Sequence, residues 1–305
     1  MGVDTPKKEL EMARKRKLSF GIINITMHPH TPERYVELLK AADKNKLLTS
    51  LGHNQSALIN NVGFMNAGDR APDSPVRGTL IKFNDIDVQG AWFDVVNNKE
   101  ADEADIAKVS IPDHLKPNMM SFEFVFFPKK HLLFYECFYK SNKLSPAMAM
   151  KALNGILNNP LLQESFGVIE ITHVPEQDGL DTALASKRIN NLVLRITRPN
   201  ADHFSKIEQQ YLAKMNKQNV AEIIEEHKAV KGEFLVIDQE TKNKAKIAES
   251  NGYVEMKGLD GDNKPVHYST LSHPRVETGY YDINIDTPLS FLFKMARDII
   301  NKMKN

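Results

Sequence analysis

His28-Pro29-His30 closes the first apolar stretch of this 305-residue chain. Imidazoles at alternate positions leaving a strand project from one side, where two of them could share a divalent metal. A hydrolytic centre needs more ligands, and His53 with Asp69 or Asp73 could supply them, although none of these stands at a motif spacing. Ordinary turn histidines account for the same residues. A second constellation is cationic. Lys129, Lys130 and His131 mark the polar break in SFEFVFFPKKHLLFYECF, and Lys187, Arg188, Arg195 and Arg198 surround NLVLRITRPN. Basic residues interleaved with exposed aromatics on a sheet hold phosphates and stack bases of single-stranded RNA or DNA. Lys129, Lys130, Arg195 and Arg198 are the expected phosphate contacts, Phe127, Tyr135 or Tyr139 the aromatics, and His131 the first candidate for proton transfer. If a second layer covers that face, the same aromatics become core. Glu136 and His173, polar residues inside apolar strands, form a third set. With Glu170 and Glu176 nearby in sequence they could act as acid and base, or as paired structural groups.

These residues need elements to position them. The stretch from Ser121 to Asn200 reads as hairpin, helix, strand, helix, strand: two apolar runs about Pro128-Lys129-Lys130, a helix capped by Ser145 and opened by Pro146, then GVIEITHVP, DGLDTALASK and NLVLRITRPN. On the last strand Leu192, Leu194 and Ile196 would face helices, leaving Val193, Arg195 and Thr197 opposite. Upstream, LSFGIINIT reads as a strand, and Thr31-Pro32 opens a helix whose stripe is Tyr35, Leu38, Leu39 and Ala42. Residues 49–76, rich in Gly, Asn, Ser, Asp and Pro, read as a long loop, followed by strands GTLIKF and AWFDVV. Beyond residue 200 the spacing of Phe204, Ile207, Tyr211 and Met215, continued by Val220, Ile223 and Ile224, reads as one long helix. FLVID is a short strand at most, and KNKAKIAESNG is a helix stopped by Gly252. A hairpin turns at Asp260 to Lys264, and a terminal helix presents Leu292, Met295, Ala296, Ile299 and Met303 on one face.

The fold class expected is α+β, with a mixed or mainly antiparallel sheet and a helical and hairpin C-terminal part. The chain divides into a basic arm (1–17), an α+β core (18–200) and a C-terminal subdomain (201–305), or forms one integrated domain. Forty basic and 39 acidic side chains leave a net charge of +1, so any electrostatic partner surface is local. The single cysteine, Cys137, excludes an intrachain disulfide and a cysteine-built metal cage. No apolar run approaches the roughly 18–20 residues that span a bilayer, so a cytoplasmic protein without membrane partners is expected. The P-loop, dinucleotide and nucleophile-elbow signatures are absent, and no cofactor is expected.

KLSFGIINITMHPHTPERYVELL, FNDID with AWFD, FEFVFFPKKHLLFYE, LSPAMA, FGVIEITHVPEQDGL, LRITRPNADH and NGYVEMKG together resemble DUF4747, a bacterial family known as a domain of unknown function. The resemblance runs from about Lys17 to Tyr281, and FVFFP-x-x-H and RPN-x-D are its most specific parts. It implies one shared architecture and an anti-phage defence setting, and brings no catalytic residues with it. Three functions are expected, in this order: nucleic-acid binding, with or without cleavage; a non-enzymatic assembly component, joined through the terminal helix and hairpin to its own copies or to a partner protein from the same operon; and a metal-dependent hydrolase through His28 and His30.

Overall fold

A computed structural model describes residues 15–88, 90–139, 142–176, 178–198 and 206–302. In chain order the elements are β1 (Lys15–Thr26), α1 (Pro32–Lys44), β2 (Thr49–Gly52), β3 (Gln55–Phe64), β4 (Val76–Asn84), β5 (Phe93–Asp94), β6 (Lys99–Glu100), α2 (Glu103–Ile106), β7 (Met120–Phe127) and β8 (Leu132–Glu136). Then come β9 (Phe138–Tyr139), β10 (Asn142–Lys143), α3 (Pro146–Leu157), α4 (Pro160–Phe166), β11 (Glu170–His173), α5 (Gly179–Leu184), β12 (Ile189–Thr197) and α6 (Lys206–Gln218). The chain ends with β13 (Glu222–Lys228), α7 (Gln239–Ser250), β14 (Gly252–Leu259), β15 (Pro265–Ser269), β16 (Val276–Asp282) and α8 (Pro288–Lys302).

The fold is α+β and its strand pairings are antiparallel. The main sheet runs β11-β1-β8-β7-β4-β3-β2, with β16 also joined to β1. β1 is its spine, with β8 along one edge and β16 followed by β11 along the other. A second sheet runs β13-β12-β14-β15. The expected order of hairpin, helix, strand, helix and strand is present, but its last strand, β12, lies in the second sheet. Both sheets take strands from either side of residue 200. Residues 1–14 of the basic arm, with Pro199 to Ser205 and Met303, lie outside the described residues.

Burial explains why the hairpin strands are almost continuously apolar. On one face Ile23, Ile25, Phe122, Phe124, Phe126, Leu133 and Tyr135 pack against α1, α3 and α4. On the other, Leu18, Phe20, Ile22, Val125 and Phe134 meet Leu292, Ala296 and Ile299 of α8. A sheet covered twice needs apolar residues at successive positions. Of the two expectations for the aromatics, the covered face holds: Tyr135 is buried under the helices, and Phe127, on the opposite face, stacks on Phe293 of α8 with ring centroids 5.9 Å apart. The side chain of Tyr139 lies outside the described residues. Gly21 leaves the room Tyr135 needs, because a Cβ there would overlap its ring and hydroxyl.

Local chemistry sets the helix starts. Thr31 Oγ1 accepts from Arg34 N at 3.3 Å, and Ser145 Oγ accepts from Met148 N at 3.3 Å, each with proline next in the chain. Other expectations change. Residues 49–64 form β2 and β3, held by pairing to β4 and by burial of Leu51, Ala57 and Ile59. AWFDVV contributes only the two-residue β5, and Val95 and Val96 are exposed. The long helix stops at Gln218, where Asn219 takes a left-handed backbone, and Glu222–Lys228 pairs with β12. FLVID forms no strand.

Candidate functional site

The loops at one end of β1, β7 and β12 bring together histidines that are far apart in sequence. His28 and His30 follow β1, and His131 occupies the β7–β8 turn with a left-handed backbone, φ 59°, unusual for a residue with a Cβ. Its carbonyl accepts from Ile25 N at 2.8 Å, which ties the turn to β1. The rings form a row: His28 to His30 at 6.2 Å between centroids and 28° between planes, His30 to His131 at 5.2 Å and 19°. Tyr35 backs the row, 5.0 Å from the His131 ring and 6.5 Å from that of His30, and its hydroxyl accepts from Met27 N at 3.3 Å.

His28 is exposed at the outer end of the row, and its Nε2 lies 3.0 Å from the carbonyl oxygen of Arg198, just past β12. A carbonyl only accepts, so Nε2 carries the proton and Nδ1 of the neutral ring keeps its lone pair. Partial desolvation of the ring lowers its pKa; the Arg198 carbonyl opposes this, while His30 and the Arg198 charge add to it. Arg198 Nε is buried without a hydrogen-bond partner among the described residues. Arg34, on the first turn of α1, stacks over Phe166 and donates Nη2 to Ser165 O at 3.1 Å.

On the other side of the hairpin turn, Phe127, Lys129 and Lys130 line a groove of about 360 Å³ with Asp73, Phe293 and Arg297. Its size is at the lower end for small-ligand pockets. Lys129 is exposed, 3.6 Å from Asp73 Oδ2, and Arg297 stands over Phe293 at 5.7 Å.

The expected phosphate contacts are thus divided. Arg195 belongs to the second sheet, where its guanidinium is 2.6 Å from Glu222 Oε2 and 3.9 Å from Glu170 Oε1 and lies over Tyr253. Its charge is already matched, so the basic sheet edge joining Arg195 to the hairpin is not formed. Leu192, Leu194 and Ile196 face α7 as expected, but Thr197 is buried, its hydroxyl donating to Asn251 O at 2.8 Å.

Glu136 and His173 stand apart from the histidine row. Glu136 lies on the α8 side, its Oε2 accepting from Glu123 N at 3.4 Å; burial, with the Glu123 charge beside it, raises its pKa to about 7. His173 is buried on β11, Nδ1 without a partner among the described residues, and desolvation lowers its pKa to about 4. His53, Asp69 and Asp73 do not join His28 and His30 in a ligand set among the described residues, which corrects the metal centre those residues could have formed. Among the described residues no group of three or more His, Cys, Asp or Glu is arranged to hold a metal ion.

Sequence reasoning did not find Arg34, Glu123, Phe293 or Arg297. Two had a signal: Phe293 and Arg297 are four apart on a helix and so share a face. Glu123 meets Glu136 through its backbone N–H, a contact that no spacing in the sequence announces.

Two antiparallel sheets, with a row of histidines where strands of both end, define an α+β protein. The chain belongs to DUF4747, a domain of unknown function, whose family model matches residues 16–300. No curated protein matches it. Among the described residues no helix is long and apolar enough to cross a membrane.

Proposed function

We propose that this protein binds single-stranded nucleic acid along the surface running from the Lys129–Lys130–Arg297 groove, over the hairpin turn, to the histidine row and Arg198. The observation that carries the reading is the convergence of His28, His30, His131 and Arg198, from three distant segments, at the same hairpin turn whose other side carries a groove lined by three more cations and one carboxylate. Phosphate is the ligand chemistry such a surface favours. Phe127 and Phe293, half-buried, give the groove an apolar wall. A cytoplasmic place accords with this reading, as does the anti-phage setting that the resemblance implies.

Binding of labelled single-stranded RNA and DNA at two salt concentrations tests it. Four phosphate contacts predict a slope of about −3 in log affinity against log salt. Changing Lys129, Lys130 and Arg198 to alanine together should weaken binding at least tenfold, whereas Arg195→Ala should change it little. Affinity indifferent to salt, or lost only with Arg195, would sink the reading.

A further inference from the structure

The histidine row supports more than binding. Neutral His28 has one ring nitrogen committed as a donor to the Arg198 carbonyl, which leaves Nδ1 as the atom able to take a proton. His30 stands one ring away at 6.2 Å, nearly parallel, so the two imidazole edges can address two oxygens of one phosphate group. Behind His30, the buried His131 and Tyr35 form a shelf that fixes its orientation. The Arg198 guanidinium, close enough to His28 to act on its ionisation, supplies donors for the non-bridging oxygens. Two proton carriers flanking a phosphate suit a reaction in which one oxygen loses a proton as another gains one. RNA brings its own nucleophile for this, the 2′-hydroxyl.

We infer that the row is a ribonuclease site: His28 Nδ1 takes the proton of a ribose 2′-hydroxyl, whose oxygen attacks the adjacent phosphorus. The P–O5′ bond breaks, and the His30 imidazolium gives its proton to the departing 5′-oxygen. The products are a 2′,3′-cyclic phosphate and a 5′-hydroxyl; no oxidant, reductant or water is consumed. His28 and His30 are the catalytic residues, His131 and Tyr35 positioning residues. The inference rests on the nucleic-acid reading above and adds the reaction and the sugar.

The test incubates the full chain with a 5′-labelled, mixed-sequence 20-nucleotide RNA in EDTA, and reads fragment ends by mass spectrometry. The same oligonucleotide in DNA is run beside it. Cyclic-phosphate ends from RNA are expected, with DNA bound and left intact. His28→Ala and His30→Ala, each also made as Gln and checked by circular dichroism, should lower the cleavage rate about 100-fold or more, a far larger factor than their loss of RNA affinity. His131→Phe, which keeps a ring in the stack, should retain more cleavage than His131→Ala. RNA bound but uncut, DNA cut equally, or cleavage unchanged in the His28 variants would overturn the ribonuclease and leave the binding reading standing. Failure to bind either nucleic acid would overturn both.

Discussion

Glu136 and His173 set opposite pH limits on stability. Burial of Glu136 raises its folded pKa from an ordinary 4.5 to about 7, so the folded protein holds a proton that the unfolded chain releases. Stability from this group is complete below about pH 4.5 and falls as pH rises toward 7, by on the order of 3 kcal/mol. His173 works the other way. Its folded pKa of about 4 lies below the ordinary 6.5, so stability present above 6.5 is lost as pH falls toward 4, by a similar amount. Urea unfolding from pH 4 to 8 should show Glu136→Gln flattening the loss toward pH 7, and His173→Phe flattening the loss below pH 6. Curves that superimpose on the parent at every pH would refute both assignments. Each residue stood out in the sequence as a polar group in an apolar strand. Their separation from the histidine row did not, because it follows from which face of β8 and which edge of β1 they occupy.

The elements most legible in the sequence were those with local punctuation. Thr31-Pro32 and Ser145-Pro146 start helices, Asp260 closes the β14–β15 turn by accepting from Asp262 N and Lys264 N at 2.9 Å, and α8 carries an unbroken apolar stripe. Elements decided by distant partners were not legible. EIIEEHK has helix-favouring residues, yet becomes β13 because β12 offers an edge across seven residue pairs. β3, with its Asn and Gly, is a strand for the same reason. The stripe of α8 proved to serve its own sheet: Leu292 is fully buried and Ile299 is 6% exposed. Assembly through that face would require undocking the helix. Leu292→Ala should therefore cost about 2–5 kcal/mol in urea unfolding, with light scattering still reporting the parental mass. A changed mass at unchanged stability would restore the helix as an interface.

At the scale of the whole molecule, the histidine row lies where the two sheets touch. His28 reaches Arg198 past β12, and Asn24 Nδ2 donates to Ser250 O, at the end of α7, at 3.2 Å. The row therefore senses how the sheets are seated. Asn24→Ala, which removes no proposed phosphate contact, should lower nucleic-acid affinity more than it lowers the unfolding midpoint; an affinity equal to the parent's would show that the seating is rigid without it. The spine strand has a further consequence, for birth on the ribosome. Residues 15–21 of β1 are hydrogen-bonded to Val276–Asp282, with Lys15 opposite Asp282. β1 must therefore wait with one edge vacant, and with Leu18, Phe20 and Ile22 bare to water, until β16 and α8 emerge. At about 5–20 residues per second, that interval is tens of seconds, during which a nascent chain invites chaperones or mispairs with its neighbours.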